Sequence, residues 1–162
     1  MKIEFQLNGA PVLWDCPPHE FLTDALRRHG LLGTKRGCES GDCGACSVLL
    51  DGEEVPSCLV LAAQAAGHAI TTIEGLGDFA TPHRLQAAFA DHTAIQCGFC
   101  TPGMILAAKA LLDRNPRPSE HEVRECLAAH PCRCTGYVKP IQAVLAASTV
   151  ADAADAADEG GR

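Results

Sequence analysis

Gly37-Cys38-Glu39-Ser40-Gly41-Asp42-Cys43-Gly44-Ala45-Cys46 is the stretch on which the reading of this chain turns. Four residues separate its first two cysteines, two separate the next pair, and Cys58 follows after eleven more. Gly37, Gly41 and Gly44 interleave with the thiols, so the run is a loop free to take positive φ angles and wrap closely around something compact. Regular strands surround it. Ile3, Phe5 and Leu7 alternate with Glu4 and Gln6, Asn8-Gly9 is a turn signal, and Val12-Leu13-Trp14 resumes the apolar alternation. From His19 to His29, Leu22, Ala25, Leu26 and His29 fall on one helical face, and Gly30 stands at the C-terminal cap position. Ser47 to Leu50, the Asp51-Gly52 turn and Val55 predict a second hairpin, and Ala69 to Ile73 predicts a further strand. The first half therefore reads as a strand-rich α+β unit.

Gly75-Leu76-Gly77-Asp78 breaks this pattern, which sets expected units at residues 1–76 and 77–150. In the second unit Thr81 is read as an N-cap and Pro82 as the first helical residue, with Leu85, Ala88 and Phe89 inward. A second helix follows Cys100, carrying Met104, Ile105, Ala108, Leu111 and Leu112. A third opens on Ser119 with Glu122 three residues on, a capping box, and leads to Val123, Cys126 and Leu127. A fourth runs from about Pro140 through Ile141, Val144 and Leu145, giving a small helical bundle. Residues 151–162 are Ala, Asp and Gly without an apolar face and are read as a flexible acidic tail.

The chain has 162 residues, 47% hydrophobic and 20% charged, with a formal net charge of −7. No stretch gathers basic residues into a stripe, so nucleic acid and anionic membrane are not expected partners. The start has no continuous apolar run like that of an export signal, and eighteen apolar residues never run together. A cytoplasmic protein without membrane insertion is expected. Ten cysteines are about 6% of the residues, below the density of a disulfide-stapled miniprotein.

Cys38, Cys43, Cys46 and Cys58 have the spacing that plant-type ferredoxins use for a 2Fe-2S cluster. Glycine here lets the loop wrap the cluster and aim backbone N–H groups at sulfur. A second set, Cys97 and Cys100, then Cys132 and Cys134, flanks two helices that can fold back antiparallel and bring four thiolates together. Three other readings use the same cysteines. Two structural zinc sites would normally show paired two-residue spacings rather than the glycine-laced loop. Cys97 and Cys100 as a dithiol pair would require a βαβ setting. A disulfide framework would require an oxidising compartment. Cys16 and Cys126 fall on apolar faces and read as core thiols; His130, two residues before Cys132, reads as a polar neighbour that could tune or replace a ligand. No catalytic acid, base or nucleophile stands out.

Residues 37–46, Gln96-Cys97-Gly98-Phe99-Cys100-Thr101-Pro102-Gly103-Met104 and Cys132-Arg133-Cys134-Thr135-Gly136-Tyr137 together closely resemble the iron-sulfur subunit of the molybdenum hydroxylases, the xanthine dehydrogenase, aldehyde oxidase and carbon monoxide dehydrogenase family. The likeness spans residues 2 to about 148. It implies an N-terminal ferredoxin-like β-grasp domain and a C-terminal helical bundle, each with one 2Fe-2S cluster. It also implies a large partner subunit holding the molybdopterin cofactor and a medium subunit holding FAD in a heterotrimer. On this resemblance Cys134 is the pterin-proximal ligand with Gln96 close by, while the cluster of Cys38, Cys43, Cys46 and Cys58 faces the flavin. The implied function is electron transfer between molybdenum and flavin; a free-standing 2Fe-2S carrier and a zinc-stabilised binding module are the alternatives. One departure is Ala129-His130-Pro131, where the family usually has Gly-Asn-Leu or a close variant. Pro131 has no N–H to offer a sulfur, so a lower potential is expected for the second cluster.

Overall fold

The computed structural model describes the backbone of residues 1–159 and the side-chain surroundings of residues 1–149. Strands β1 (Lys2–Leu7) and β2 (Ala10–Asp15) form the first hairpin, with Ile3 opposite Trp14 and Phe5 opposite Val12. Its two-residue turn holds Asn8 and Gly9 at φ 51° and 81°, the paired left-handed geometry whose twist matches that of the strands. Alternation puts Ile3 and Phe5 inside, where Phe5 meets Trp14 edge-on at 4.9 Å. Strands β3 (Ser47–Leu50) and β4 (Glu53–Pro56) form the second hairpin. Strand β5 (Ala69–Thr71) runs parallel to β1 and antiparallel to β3, giving one mixed sheet of order β2-β1-β5-β3-β4. After Thr71 the chain leaves the sheet and Ile73–Gly75 coils into a 3-10 turn, so the fifth strand ends short of the expected Ile73.

Helix α1 (Leu22–Arg28) covers the sheet with Leu22, Ala25 and Leu26, all fully buried. It starts later than the expected His19 because Phe21 is extended and bridges Leu61, while the Leu22 N–H donates to the Val60 carbonyl at 2.7 Å. Gly30 closes the helix at φ 88°, and His29 stacks on Trp14 with ring centroids 3.8 Å apart. Cys16 lies buried in this core, as a core thiol should.

The second half is helical: α2 (Arg84–Asp91), α3 (Thr101–Arg114), α4 (Glu120–Ala128) and α5 (Val138–Glu159). Leu85, Phe89, Met104, Ile105, Leu112, Val123, Leu127, Ile141 and Val144 make its core, with Cys126 packed partly buried against it. The Ser119 capping box forms as read, Ser119 and Glu122 each accepting from the other's backbone N–H. The cap of α2 differs. Asp78 captures the N–H groups of Ala80 and Thr81 and the Thr81 hydroxyl, which ties Thr81 into a turn, and His83 caps the helix instead, accepting from the Leu85 N–H. Helix α5 begins at Val138, with Pro140 in the first turn where its missing N–H costs nothing, and continues to Glu159. The stretch read as a flexible tail is therefore helical as far as Glu159, in keeping with its alanine content; residues 160–162 lie outside the described residues.

Leu49 of β3, Leu106 and Ala110 of α3, and the flanking Ile73 and Leu76 form a small third core that joins the sheet to the helices. Among the described residues no helix is long and apolar enough to cross a membrane.

Candidate metal centres

The loop before β3 is held at its base by the Lys35 N–H donating to the Ala45 carbonyl at 3.0 Å. Between these ends the backbone turns through left-handed conformations at Glu39, Gly41 and Gly44. The turns aim N–H groups inward: Ser40 and Asp42 donate to the Cys38 sulfur at 3.4 and 3.2 Å, and Cys38 donates to the Cys43 sulfur at 3.4 Å. Gly37 is required by space, since a Cβ there would lie 2.6 Å from the Cys43 sulfur. The Ser40 hydroxyl and N–H, with Cys43 and the Asp42 N–H, pull the exposed Cys38 thiol down to about 6. Cys58 arrives on the 3-10 turn Ser57–Leu59, where the Ser57 hydroxyl donates to the Cys46 carbonyl at 2.6 Å and pins the turn beside the loop. Burial and the neighbouring Cys46 side chain push the Cys58 thiol up to about 11.

The second set is assembled by the helical half. Cys97 and Cys100 lie at the entry to α3, and Cys132 and Cys134 lie between α4 and α5. The antiparallel return of α4 brings the Cys97 and Cys134 sulfurs to 3.6 Å and sets Cys132 beside Cys100. Burial, with Cys132 beside it, pushes the Cys100 thiol up to about 12. Burial also raises Cys132, but hydrogen bonds from the Thr135 hydroxyl and N–H outweigh it and bring this thiol to about 7. Gln96 donates to the Cys134 carbonyl at 3.0 Å. Tyr137, at φ 69°, turns its hydroxyl back to accept the Cys132 N–H at 2.7 Å and to donate to the His130 carbonyl at 3.3 Å.

Among the described residues no three or more His, Cys, Asp or Glu side chains surround one point as a single metal ion would require. Within each set the thiols are neighbours: Cys43 lies beside Cys38 and Cys46 beside Cys58, and in the second set the Cys97 and Cys134 sulfurs are 3.6 Å apart with Cys132 beside Cys100. Four thiols in each set, with N–H donors aimed at sulfur and, in the first, a glycine cradle against Cys43, suit a 2Fe-2S cluster, so the residues fit that group twice.

Two family models match the chain: 2Fe-2S iron-sulfur cluster binding domain over residues 5–71, and [2Fe-2S] binding domain over residues 72–145. The nicotinate dehydrogenase small FeS subunit of Eubacterium barkeri is 46% identical over 86% of this chain and 89% of that one. The chain belongs to the iron-sulfur subunit family of the molybdenum hydroxylases. The xanthine dehydrogenase iron-sulfur-binding subunit of Escherichia coli O157:H7 is 45% identical over 90% of this chain and 92% of its own length. Among solved structures, quinoline 2-oxidoreductase from Pseudomonas putida 86 superposes with a TM-score of 0.90 at 46% identity, covering 94% of this chain and 96% of that one. Aldehyde oxidoreductase from Desulfovibrio gigas superposes with a TM-score of 0.91 at 43% identity, covering 94% of this iron-sulfur subunit but 17% of that much longer chain. The 2Fe-2S ferredoxin-like fold and the two cluster-binding regions are thus shared with the family.

Several parts of the site escape a reading of spacing. Tyr137 and Gly103 stand in the sequence only as parts of motifs, Ser47 only as the start of a hairpin, and Glu54 carries no signal at all. His130 is fully buried and turns away from the second thiol set: its Nε2 lies 3.0 Å from Glu54 Oε1 and 3.3 Å from Ser47 Oγ, both in the sheet half. Pro131 leaves that approach to Cys132 without an N–H, the His130 N–H is taken by the Leu127 carbonyl and the Cys132 N–H by Tyr137. Thr135, beyond the ligand pair, supplies the N–H that reaches the Cys132 sulfur.

Proposed function

We propose that Cys38, Cys43, Cys46 and Cys58 hold one 2Fe-2S cluster and Cys97, Cys100, Cys132 and Cys134 a second, in units of residues 1–76 and 77–150. In this role the chain carries electrons from the molybdenum site of a large molybdopterin-binding subunit to an FAD-bearing one, or back. The observation that carries the reading is the gathering of eight thiols into two sets of four, each reached by backbone N–H donors. When bound, such clusters supply one-electron chemistry at a fixed site. The protein's own groups supply the rest. Ser40, Asp42 and Thr135 N–H groups stabilise negative sulfur, which favours the reduced state.

Cys134, exposed together with Cys97 at the outer edge of the second set and held through its carbonyl by Gln96, suits the pterin-proximal side with Gln96. A shallow hollow lined by Cys97, Phe99, Cys100, Pro131 and Cys134 surrounds it. Cys38 is the exposed edge of the first set and suits the flavin side. Cysteines used as cluster ligands rather than as disulfides suit the reducing cytoplasm. Copurification of the complex tests the assignment: a large molybdenum-containing chain should accompany this one, and replacing Cys134 by Ser should abolish the second cluster's spectrum and substrate-driven reduction of the first. A chain that purifies alone with both clusters and passes electrons to no such partner would be a free carrier.

A further inference from the structure

His130 is the only fully buried histidine among the described residues, and it is anchored from three directions. Its backbone belongs to the helical half, two residues before Cys132. Its ring enters the sheet half, where Nε2 lies 3.0 Å from Glu54 Oε1 of β4 and 3.3 Å from Ser47 Oγ of β3; the Ser47 hydroxyl donates to the same Glu54 oxygen at 2.6 Å. Between anchor and tip the ring fills a slot walled by two glycines. A Cβ on Gly44 would lie 2.3 Å from His130 Cδ2, and one on Gly103 would lie 2.9 Å from it and 2.3 Å from the Gly44 carbonyl.

The elements that meet here are those that carry the thiols. Gly44 stands between Cys43 and Cys46, Ser47 follows Cys46, Gly103 lies three residues after Cys100, and the His130 carbonyl is tied through Tyr137 to the Cys132 N–H. The other ring nitrogen, Nδ1, is buried with no hydrogen-bond partner, a cost that a leucine in the same slot would avoid. The histidine is thus placed for what its far end does.

We propose that His130 is a positioning residue that fixes the spacing between the two thiol sets, and through it the coupling between the two clusters. The flat ring lets Gly44 and Gly103 close to backbone contact, while the polar contact of Nε2 with Glu54 and Ser47 keeps the two halves in one register. This rests on the two-cluster reading of the chain.

The test uses the complete complex carrying His130→Leu, Glu54→Ala or Glu54→Gln. The full iron complement, about four per chain, is verified first, and a deficit in the unaltered protein overturns the two-cluster reading itself. The readouts are the magnetic splitting between the two reduced clusters, which varies with the inverse cube of their separation, and the rate at which an electron injected into one equilibrates with the other. His130→Leu and Glu54→Ala are expected to lose the single well-defined splitting and to slow equilibration, with each cluster's own spectrum preserved. Glu54→Gln, whose amide oxygen still accepts from Nε2, is expected to restore both. Unchanged splitting and rate in an iron-replete His130→Leu protein overturn the proposal; if that variant does not load, unchanged values in Glu54→Ala, altered at a partly exposed position, overturn it equally.

Discussion

The sulfur atoms of Cys97 and Cys134 lie 3.6 Å apart although 37 positions separate them along the chain. Helices α3 and α4 close that distance, burying Leu112, Val123 and Leu127 between them, so the packing of an ordinary apolar core sets the geometry of the second site. The first site depends on no such return. Its loop is built from local turns, and only Cys58 comes from outside it, pinned by the Ser57 hydroxyl on the Cys46 carbonyl. Two sites with separate structural origins should fail separately.

Replacing Cys43 by Ser is accordingly expected to cost one cluster and spare the other, with iron falling from about four to about two per chain. Cys100→Ser should do the same for the second site. Iron analysis with spectra of the reduced protein distinguishes the two, and loss of all iron from either single variant would show that the sites are not independent.

Gly37→Ala isolates the role of space in the first loop. Gly37 does not carry a positive φ, so backbone strain is not at issue, but the new Cβ would sit 2.6 Å from the Cys43 sulfur. Overpacking of this kind costs about 1–3 kcal/mol. The expected outcome is a first cluster that is lost more readily on warming, while the second is retained. Equal thermal loss of both, or no change, would contradict the steric account.

Glu54 gives the junction between the halves a pH dependence. Burial pushes its carboxyl up, but hydrogen bonds from His130 and Ser47 outweigh this and hold it below the ordinary glutamate value. A carboxyl lower in the folded than in the unfolded chain stabilises at pH above the unfolded value of about 4.3, and that contribution is lost as pH falls through the folded value. The denaturation midpoint should therefore fall more steeply with acidification below about pH 5 in the unaltered protein than in Glu54→Gln. Parallel curves would remove Glu54 from the account.

Pro131→Leu tests the electrostatics of the second site. The segment entering Cys132 offers no free N–H, because proline has none and its neighbours' N–H groups are engaged by Leu127 and Tyr137. Restoring a donor should raise the second cluster's potential and leave the first unchanged in a redox titration. An unchanged or lower value for the second cluster would reject the idea.

The cysteine sets were legible in the sequence because their constraints are local: a thiol spacing and its glycines are written within ten residues, as is the Ser119–Glu122 capping box. The hairpins were legible for the same reason, through the Asn8-Gly9 and Asp51-Gly52 turns, whose four residues all take positive φ. What escaped notice depends on distant or competing partners. Gly103 is required by the carbonyl of Gly44, and His130 by Glu54, across the junction of the two halves. Thr81 looked like a helix cap but is claimed by Asp78 three residues earlier, and the first turn expected of α1 is drawn into a bridge with Leu61.

Iron and acid-labile sulfide, counted in anaerobically purified protein, test the central claim most directly. The account predicts a coloured protein with about four of each per chain. A colourless protein holding zinc on these cysteines, with neither iron nor sulfide, would contradict it.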